Sequence, residues 1–125
     1  MNMTPSNLKF TQTHEWIEFE SDTTANIGIS DFAQHELGDI VFVNLPKPGD
    51  TIEKGVAFSD VESVKAVSDI ISPVSGIVLE VNEELLSSPE KINQDAYGSW
   101  FIKVENITEK SELMSAAEYD EFCKK

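Results

Sequence analysis

Basic side chains, cysteine and long apolar runs are all scarce in this sequence, and each shortage removes a class of function. Nine basic residues face 23 acidic ones, giving a net charge of -14. Phosphate backbones and anionic membrane surfaces both repel such a chain, which argues against nucleic-acid and membrane binding. The charge suits basic partner surfaces reached by electrostatic steering, and it also serves solubility alone. The single cysteine, Cys123, allows no internal disulfide, which suits a reducing compartment. No apolar run approaches the roughly 20 residues that cross a bilayer. Residues 1–7 carry neither an apolar signal core nor an Arg-rich presequence. The expected location is therefore the cytoplasm, or the mitochondrial matrix for a processed eukaryotic form.

Familiar catalytic constellations are also missing. The two histidines, His14 and His35, show no metal-ligand spacing, and there is no CxxC, GxSxG, P-loop or GxGxxG. No catalytic residue and no metal ligand is assigned. Cys123 reads as a small packed side chain near a terminus, and the histidines as surface or hydrogen-bonded residues.

What is present fits a polar tail over residues 1–7 and one domain over 8–125. A chain of 125 residues with 40% apolar content supports a single core. Strand signals recur about every 10 residues with Gly and Pro between them, the pattern of a small sandwich or barrel. A hairpin is expected over 8–29, turning at Glu20, Ser21 and Asp22. A short helix follows, capped by Ser30, ended by Gly38 and docked through Phe32 and Leu37. Further strands are expected over 40–45, 56–62, 66–71, 77–81 and 100–104, with turns over 46–50, 54–55 and 73–76. Ser88-Pro89 should open a helical turn. Ser115 and Glu118 form a capping box for a final helix that presents Tyr119, Phe122 and Cys123 on one face. The expected fold is mainly β, a small barrel-sandwich hybrid of antiparallel sheets with short peripheral helices and a C-terminal helix.

One lysine stands out by position. Two strand-like runs meet at Ser63, Val64 and Lys65, so Lys65 should sit at or beside a hairpin tip. It is the only lysine between Lys54 and Lys91. Gly49 lies 16 residues before it and Gly76 lies 11 after it, both expected in turns that need positive φ. A solvated turn lysine is the plain reading of Lys65 by itself.

Glu62-Ser63-Val64-Lys65-Ala66, set in that bracket, resembles the lipoyl-attachment site of the H proteins of the glycine cleavage system, a family within the lipoyl and biotinyl domains. Biotin carriers centre on Met-Lys-Met and 2-oxoacid dehydrogenase domains on Asp-Lys-Ala instead. The resemblance runs from about residue 8 to 123. It includes Thr13-His14-Glu15-Trp16, Leu37-Gly38-Asp39-Ile40-Val41-Phe42-Val43, Pro48-Gly49-Asp50, Ser68-Asp69-Ile70 and Ser72-Pro73-Val74-Ser75-Gly76. Ala96, Ser99 and Val67 depart from the family's usual residues.

The resemblance implies a carrier that is a substrate of enzymes. Lipoate would be joined covalently to Lys65 by a lipoyl-attaching enzyme. The arm would shuttle the aminomethyl group of glycine from the pyridoxal-phosphate P protein to the T protein, and electrons to the flavin-containing L protein. It further implies that Thr13, Glu15 and Asp69 shelter the loaded arm, with Glu15 facing its cationic end. Read alone, Glu15 is equally a solvated strand residue. An H-like protein that relays lipoyl groups, or an unmodified interaction protein of the same fold, would keep much of this pattern.

Overall fold

The computed structural model describes residues 6–124. Most of the tail expected over 1–7 lies outside the described residues. Ser6 and Asn7 form a turn, and the Asn7 amide donates to Glu18 Oε2 at 3.0 Å.

Among the described residues, nine strands form two antiparallel sheets. In chain order they are β1 (Lys9–Phe10), β2 (Glu15–Phe19), β3 (Ala25–Ile29), β4 (Ile40–Asn44), β5 (Thr51–Ile52), β6 (Ala57–Ser63), β7 (Val67–Ile71), β8 (Val74–Val81) and β9 (Ile102–Lys110). The larger sheet has the order β1-β2-β3-β9-β8-β5 and the smaller one β4-β6-β7. The sheets stay separate and do not close into a barrel. The helices are α1 (Asp31–Leu37), α2 (Glu84–Ser87), α3 (Lys91–Gln94) and α4 (Ala116–Cys123), with a 3₁₀ turn at Ala96–Gly98. None of them is long and apolar enough to cross a membrane.

Alternation within strands builds the main core. Ile17, Ile27 and Ile29 of the larger sheet meet Val43, Val61 and Ile70 of the smaller one. The opposite face of the larger sheet carries a second, aromatic cluster. Trp16 and Phe10 pack there with Tyr119 of α4, and Phe10 stacks on Tyr119 at 4.4 Å. Strand β2 is thus buried on both faces. Gly28, paired with Trp16, makes room for the indole, since a Cβ there would lie 2.6 Å from the ring.

Local signals place most elements well. Ser30 caps α1 by accepting from Ala33 N–H, and Gly38 ends the helix at φ 80°. The capping box of α4 has both bonds, and Tyr119, Phe122 and Cys123 share its packed face. Leu37 docks α1 on the main core as expected, whereas Phe32 joins the aromatic cluster.

Two short strands add to the sequence reading, and three expectations are corrected. Strands β1 and β5 have two residues each, too short to leave an alternating signal. Strand β9 runs to Lys110 rather than ending near 104, with Asn106 at φ 54° where the β8–β9 register shifts. Ser88 closes α2 instead of capping the next helix, and no side chain caps α3. The turn expected over 73–76 is confined to Ser72 and Pro73, because β8 already starts at Val74.

Gly76 therefore lies inside β8, and positive φ is not the reason for it. Among the described residues, glycines with positive φ are Gly38, Gly49 and Gly55. A Cβ on Gly76 would come within 2.7 Å of Val104 Cγ1 and 2.8 Å of the Glu105 carbonyl oxygen. The close approach of β9 at its register shift is what requires glycine. Gly76→Ala should lower the unfolding free energy by about 1–3 kcal/mol. An unchanged urea midpoint would show that the two strands separate there without cost.

Candidate functional site

Lys65 sits at the tip of the β6–β7 hairpin. Ser63 N–H donates to the Ala66 carbonyl at 2.8 Å, leaving Val64 and Lys65 as the two tip residues. Ser63 Oγ accepts from the N–H groups of Ala66 at 3.0 Å and Lys65 at 3.3 Å, a side-chain-closed turn. Val64 N–H donates to the Asp39 carbonyl at 3.0 Å, which anchors the tip to the loop after α1. Val64, Lys65 and Ala66 are exposed. Among the described residues, no carboxylate pairs with the Lys65 ammonium. Its stem leans towards α1, with Cε 3.6 Å from where a Cβ on Gly38 would sit. Glu62 projects from the outer sheet face, paired across the strands with Phe42 and Val67.

A cleft of about 260 Å³ runs beside α1. Phe32, Ala33, Glu36 and Leu37 line it from the helix, and Ser68, Asp69 and Ile70 from β7. Thr13, His14 and Ile29 complete the lining. Gly38, the cap on which the Lys65 stem leans, directly follows Leu37 of the cleft wall. Larger hollows lie along β5, but their linings include no residue of the hairpin tip.

The structure thus brings Thr13 and Asp69 into one cleft. Glu15 is placed differently. It shares the inward face of β2 with Ile17 and is only 1% exposed, so it is not a solvated strand residue. Nor does it line the cleft; it reaches it through Thr13, whose hydroxyl donates to Glu15 Oε1. Thr11 Oγ1 donates to the same oxygen at 2.6 Å, and Ile71 N–H donates to Oε2 at 3.3 Å. Burial pushes the Glu15 carboxyl above its ordinary value, and these donors partly oppose the shift.

His14 and Glu36 are cleft residues that the sequence reading left out. Phe32, Ala33, Glu36 and Leu37 are spaced for one helix face, and that periodicity was the available signal for Glu36. His14 adopts φ 73°, the left-handed region. Its Nδ1 lies 2.7 Å from Tyr119 Oη, which lies 2.6 Å from Ser30 Oγ. Ser30 is fully buried and already accepts from Ala33 N–H, so its own proton goes to Tyr119. Tyr119 thus joins Ser30 to His14 in one hydrogen-bonded chain. Burial lowers the His14 pKa, with Glu36 opposing.

Comparison with known proteins gives one consistent family. The family described as "Glycine cleavage H-protein" matches residues 8–125. The glycine cleavage system H protein of Lachnoclostridium phytofermentans is 58% identical over 119 residues, covering 95% of this chain and 94% of that one. The probable glycine cleavage system H protein of Pyrococcus abyssi is 52% identical, covering 94% and 90%. The crystal structure of a glycine cleavage system H protein from Mycobacterium marinum superposes with a TM-score of 0.91 at 38% identity, covering 97% and 99%.

The buried carboxyl of Glu15 makes a prediction with a definite sign. Its folded-state pKa lies above the ordinary value of 4.5, so the folded protein keeps the proton where the unfolded chain has lost it. Its favourable contribution is whole below that value and is lost as pH rises through the folded pKa. Glu15→Gln does not titrate. The unfolding free energy of the wild type, relative to Glu15→Gln, should therefore fall between pH 4 and pH 7 in urea titrations. A flat difference would mean that hydrogen bonds fully offset burial.

Proposed function

The chain belongs to the glycine cleavage H-protein family, and on that premise we propose that residues 8–125 form a lipoyl-carrier domain whose prosthetic group is joined by an amide to Lys65. The observation that carries this reading is the placement of Lys65: exposed, unpaired among the described residues, on a two-residue tip, with its stem beside Gly38, the residue that follows the cleft-lining Leu37. Glu62, Ser63, Val64 and Ala66 frame it. The local geometry suits the group. A lipoyl-lysine arm of about 14 Å exceeds α1, whose seven residues span about 10 Å. Apolar Phe32, Ala33, Leu37 and Ile70 suit its hydrocarbon, and Asp69 and Glu36 suit a cationic end.

When bound, the group supplies the chemistry: a disulfide that takes the aminomethyl unit of glycine from the P protein, yields it to the T protein, and returns electrons to the L protein. The chain's own residues tether, present and shelter. Amide formation removes the Lys65 charge and leaves Asp60, Glu62 and Asp69 around an uncharged stem. Tethering raises the effective concentration at each docked partner. In the cleft, Asp69 and Glu36 favour a cationic cargo over an uncharged arm. Thr13 faces the same space, and Glu15 holds the Thr13 hydroxyl from behind. The chain is thus acted on by enzymes and performs no catalysis.

Two measurements test this. Protein produced with lipoate and a lipoyl-attaching enzyme should gain one lipoyl mass, and Lys65→Arg should gain none. Modification that persists in Lys65→Arg would end the assignment. Separately, loaded Asp69→Asn should release formaldehyde spontaneously about ten-fold faster than the loaded wild type, since a charge-assisted hydrogen bond contributes about 1.5–3 kcal/mol. Equal release rates would remove Asp69 from the sheltering role.

A further inference from the structure

Helix α3 lines neither the cleft nor the hairpin tip, yet one of its side chains is bonded to the framework of both. The helix has four residues and no side-chain cap, and it is rooted by Ile92, which is fully buried in the main core. The next residue, Asn93, bonds three groups around the end of α1. Its Nδ2 donates to Gln34 Oε1 and to the Gly38 carbonyl, both at 2.9 Å, and its Oδ1 accepts from Ile40 N–H at 2.8 Å. Only one orientation of the amide fits, because the Gly38 carbonyl can only accept and the Ile40 N–H can only donate. The Gly38 carbonyl is one of those that a helix end leaves without a partner in its own helix. Gly38 and Ile40 flank Asp39, whose carbonyl accepts from Val64 N–H at 3.0 Å. Among the described residues, that is the one hydrogen bond by which Val64 or Lys65 reaches outside the hairpin. Asn93 therefore holds both the end of the helix that walls the cleft and the loop from which the lysine-bearing tip hangs.

We propose that Asn93 is a positioning residue for the carried arm: by bonding both sides of Asp39 it holds the arm's origin, Lys65, in a fixed relation to the cleft that shelters the arm's end. The proposal rests on the carrier reading and assigns a residue to its sheltering step. Asn93 lines no part of the cleft, so its effect on the arm is geometric and not a contact. A tethered end finds its seat often when the origin and the seat keep one separation, and less often when the origin wanders. The amide sets that separation from the side of the origin, through Asp39 and Val64, and from the side of the seat, through Gln34 and Gly38. Linkage makes the coupling reciprocal: if the brace favours the sheltered arm, the sheltered arm tightens the brace.

The test uses the full lipoylated chain, with and without the aminomethyl group. Asn93→Asp keeps the acceptor for Ile40 N–H but loses both donors, and Asn93→Ala removes the amide without adding charge. Asn82→Asp is the control: Asn82 Nδ2 likewise donates to a carbonyl, that of Trp100 at 2.9 Å, away from the cleft lining. Amide hydrogen exchange is followed by NMR, spontaneous formaldehyde release by a colorimetric assay, and the fold by circular dichroism. Both Asn93 variants should exchange Val64 N–H and release formaldehyde about five-fold faster, as the loss of modest hydrogen bonds implies. Asn82→Asp should keep the wild-type rates. In the wild type, Ile40 and Val64 N–H should exchange together, and more slowly once the arm is loaded. Wild-type release from folded Asn93 variants would overturn the positioning role and leave the carrier reading intact. Equally faster release from Asn82→Asp would mark general loosening and overturn it as well. If the Asn93 variants do not fold, the wild-type exchange decides: Val64 open while Ile40 stays protected, or neither amide responding to loading, would overturn the proposal. A wild-type chain that gains no lipoyl mass would overturn both readings.

Discussion

A single carboxylate placed between two sheets governs the arrangement around it. Glu15 follows the alternation of β2 and points inward with Ile17, where an aliphatic side chain would ordinarily sit. A charged group in that position is costly unless donors meet it. Two come from its own segment, the Thr11 and Thr13 hydroxyls, and the third is Ile71 N–H at the end of β7. The last of these crosses from the larger sheet to the smaller. It ties β7 to β2 beside the core contact of Ile29 and Ile70, and Asp69 and Thr13 line the same cleft. The wall of the cleft is therefore braced by this hydrogen-bond network as well as by core packing. Networks of this kind define a unique arrangement only when all members are satisfied.

The rest of the site is assembled from the same frame. Helix α1 starts at Ser30, whose hydroxyl both caps the helix and joins Tyr119. Tyr119 continues to His14, so the C-terminal helix, the first turn of α1 and the loop before β2 are held at one point. Asn93 adds a second brace, donating to the Gly38 carbonyl at 2.9 Å and accepting from Ile40 N–H at 2.8 Å. The end of α1 and the start of β4 are thus fixed, and Val64 hangs from Asp39 between them. The lysine is exposed, yet its base is rigid. A tethered group gains from that combination, since the arm moves while its origin does not.

Gly76 shows how a correct residue can carry an incorrect reason. Its distance from Lys65 suggests a turn, and the Pro73-Val74-Ser75-Gly76 composition supports one. In the fold it is a strand glycine beneath the β8–β9 register shift, excluded from other identities by Val104 and Glu105. Gly49, by contrast, has φ 94° in a turn with nothing near its missing Cβ. The same residue type answers two different constraints, and only one of them is local.

The sequence by itself determined the parts governed by neighbouring residues. Ser30 and Gly38 bound α1, Ser115 and Glu118 open α4, alternating residues define the longer strands, and Ser63 to Ala66 close the tip that presents Lys65. Each depends on backbone preference or a side chain within three or four positions. Tertiary structure alone decided that Glu15 is buried, that Glu36 and His14 join Thr13 and Asp69 in one cleft, that β9 extends past Asn106, and that Phe42 faces outward. The physical reason is common to all four. Burial of an acidic side chain, the meeting of cleft residues, extension of a polar strand and the face a bulged residue takes depend on which donors and partners arrive from distant segments, and local propensity carries no record of them.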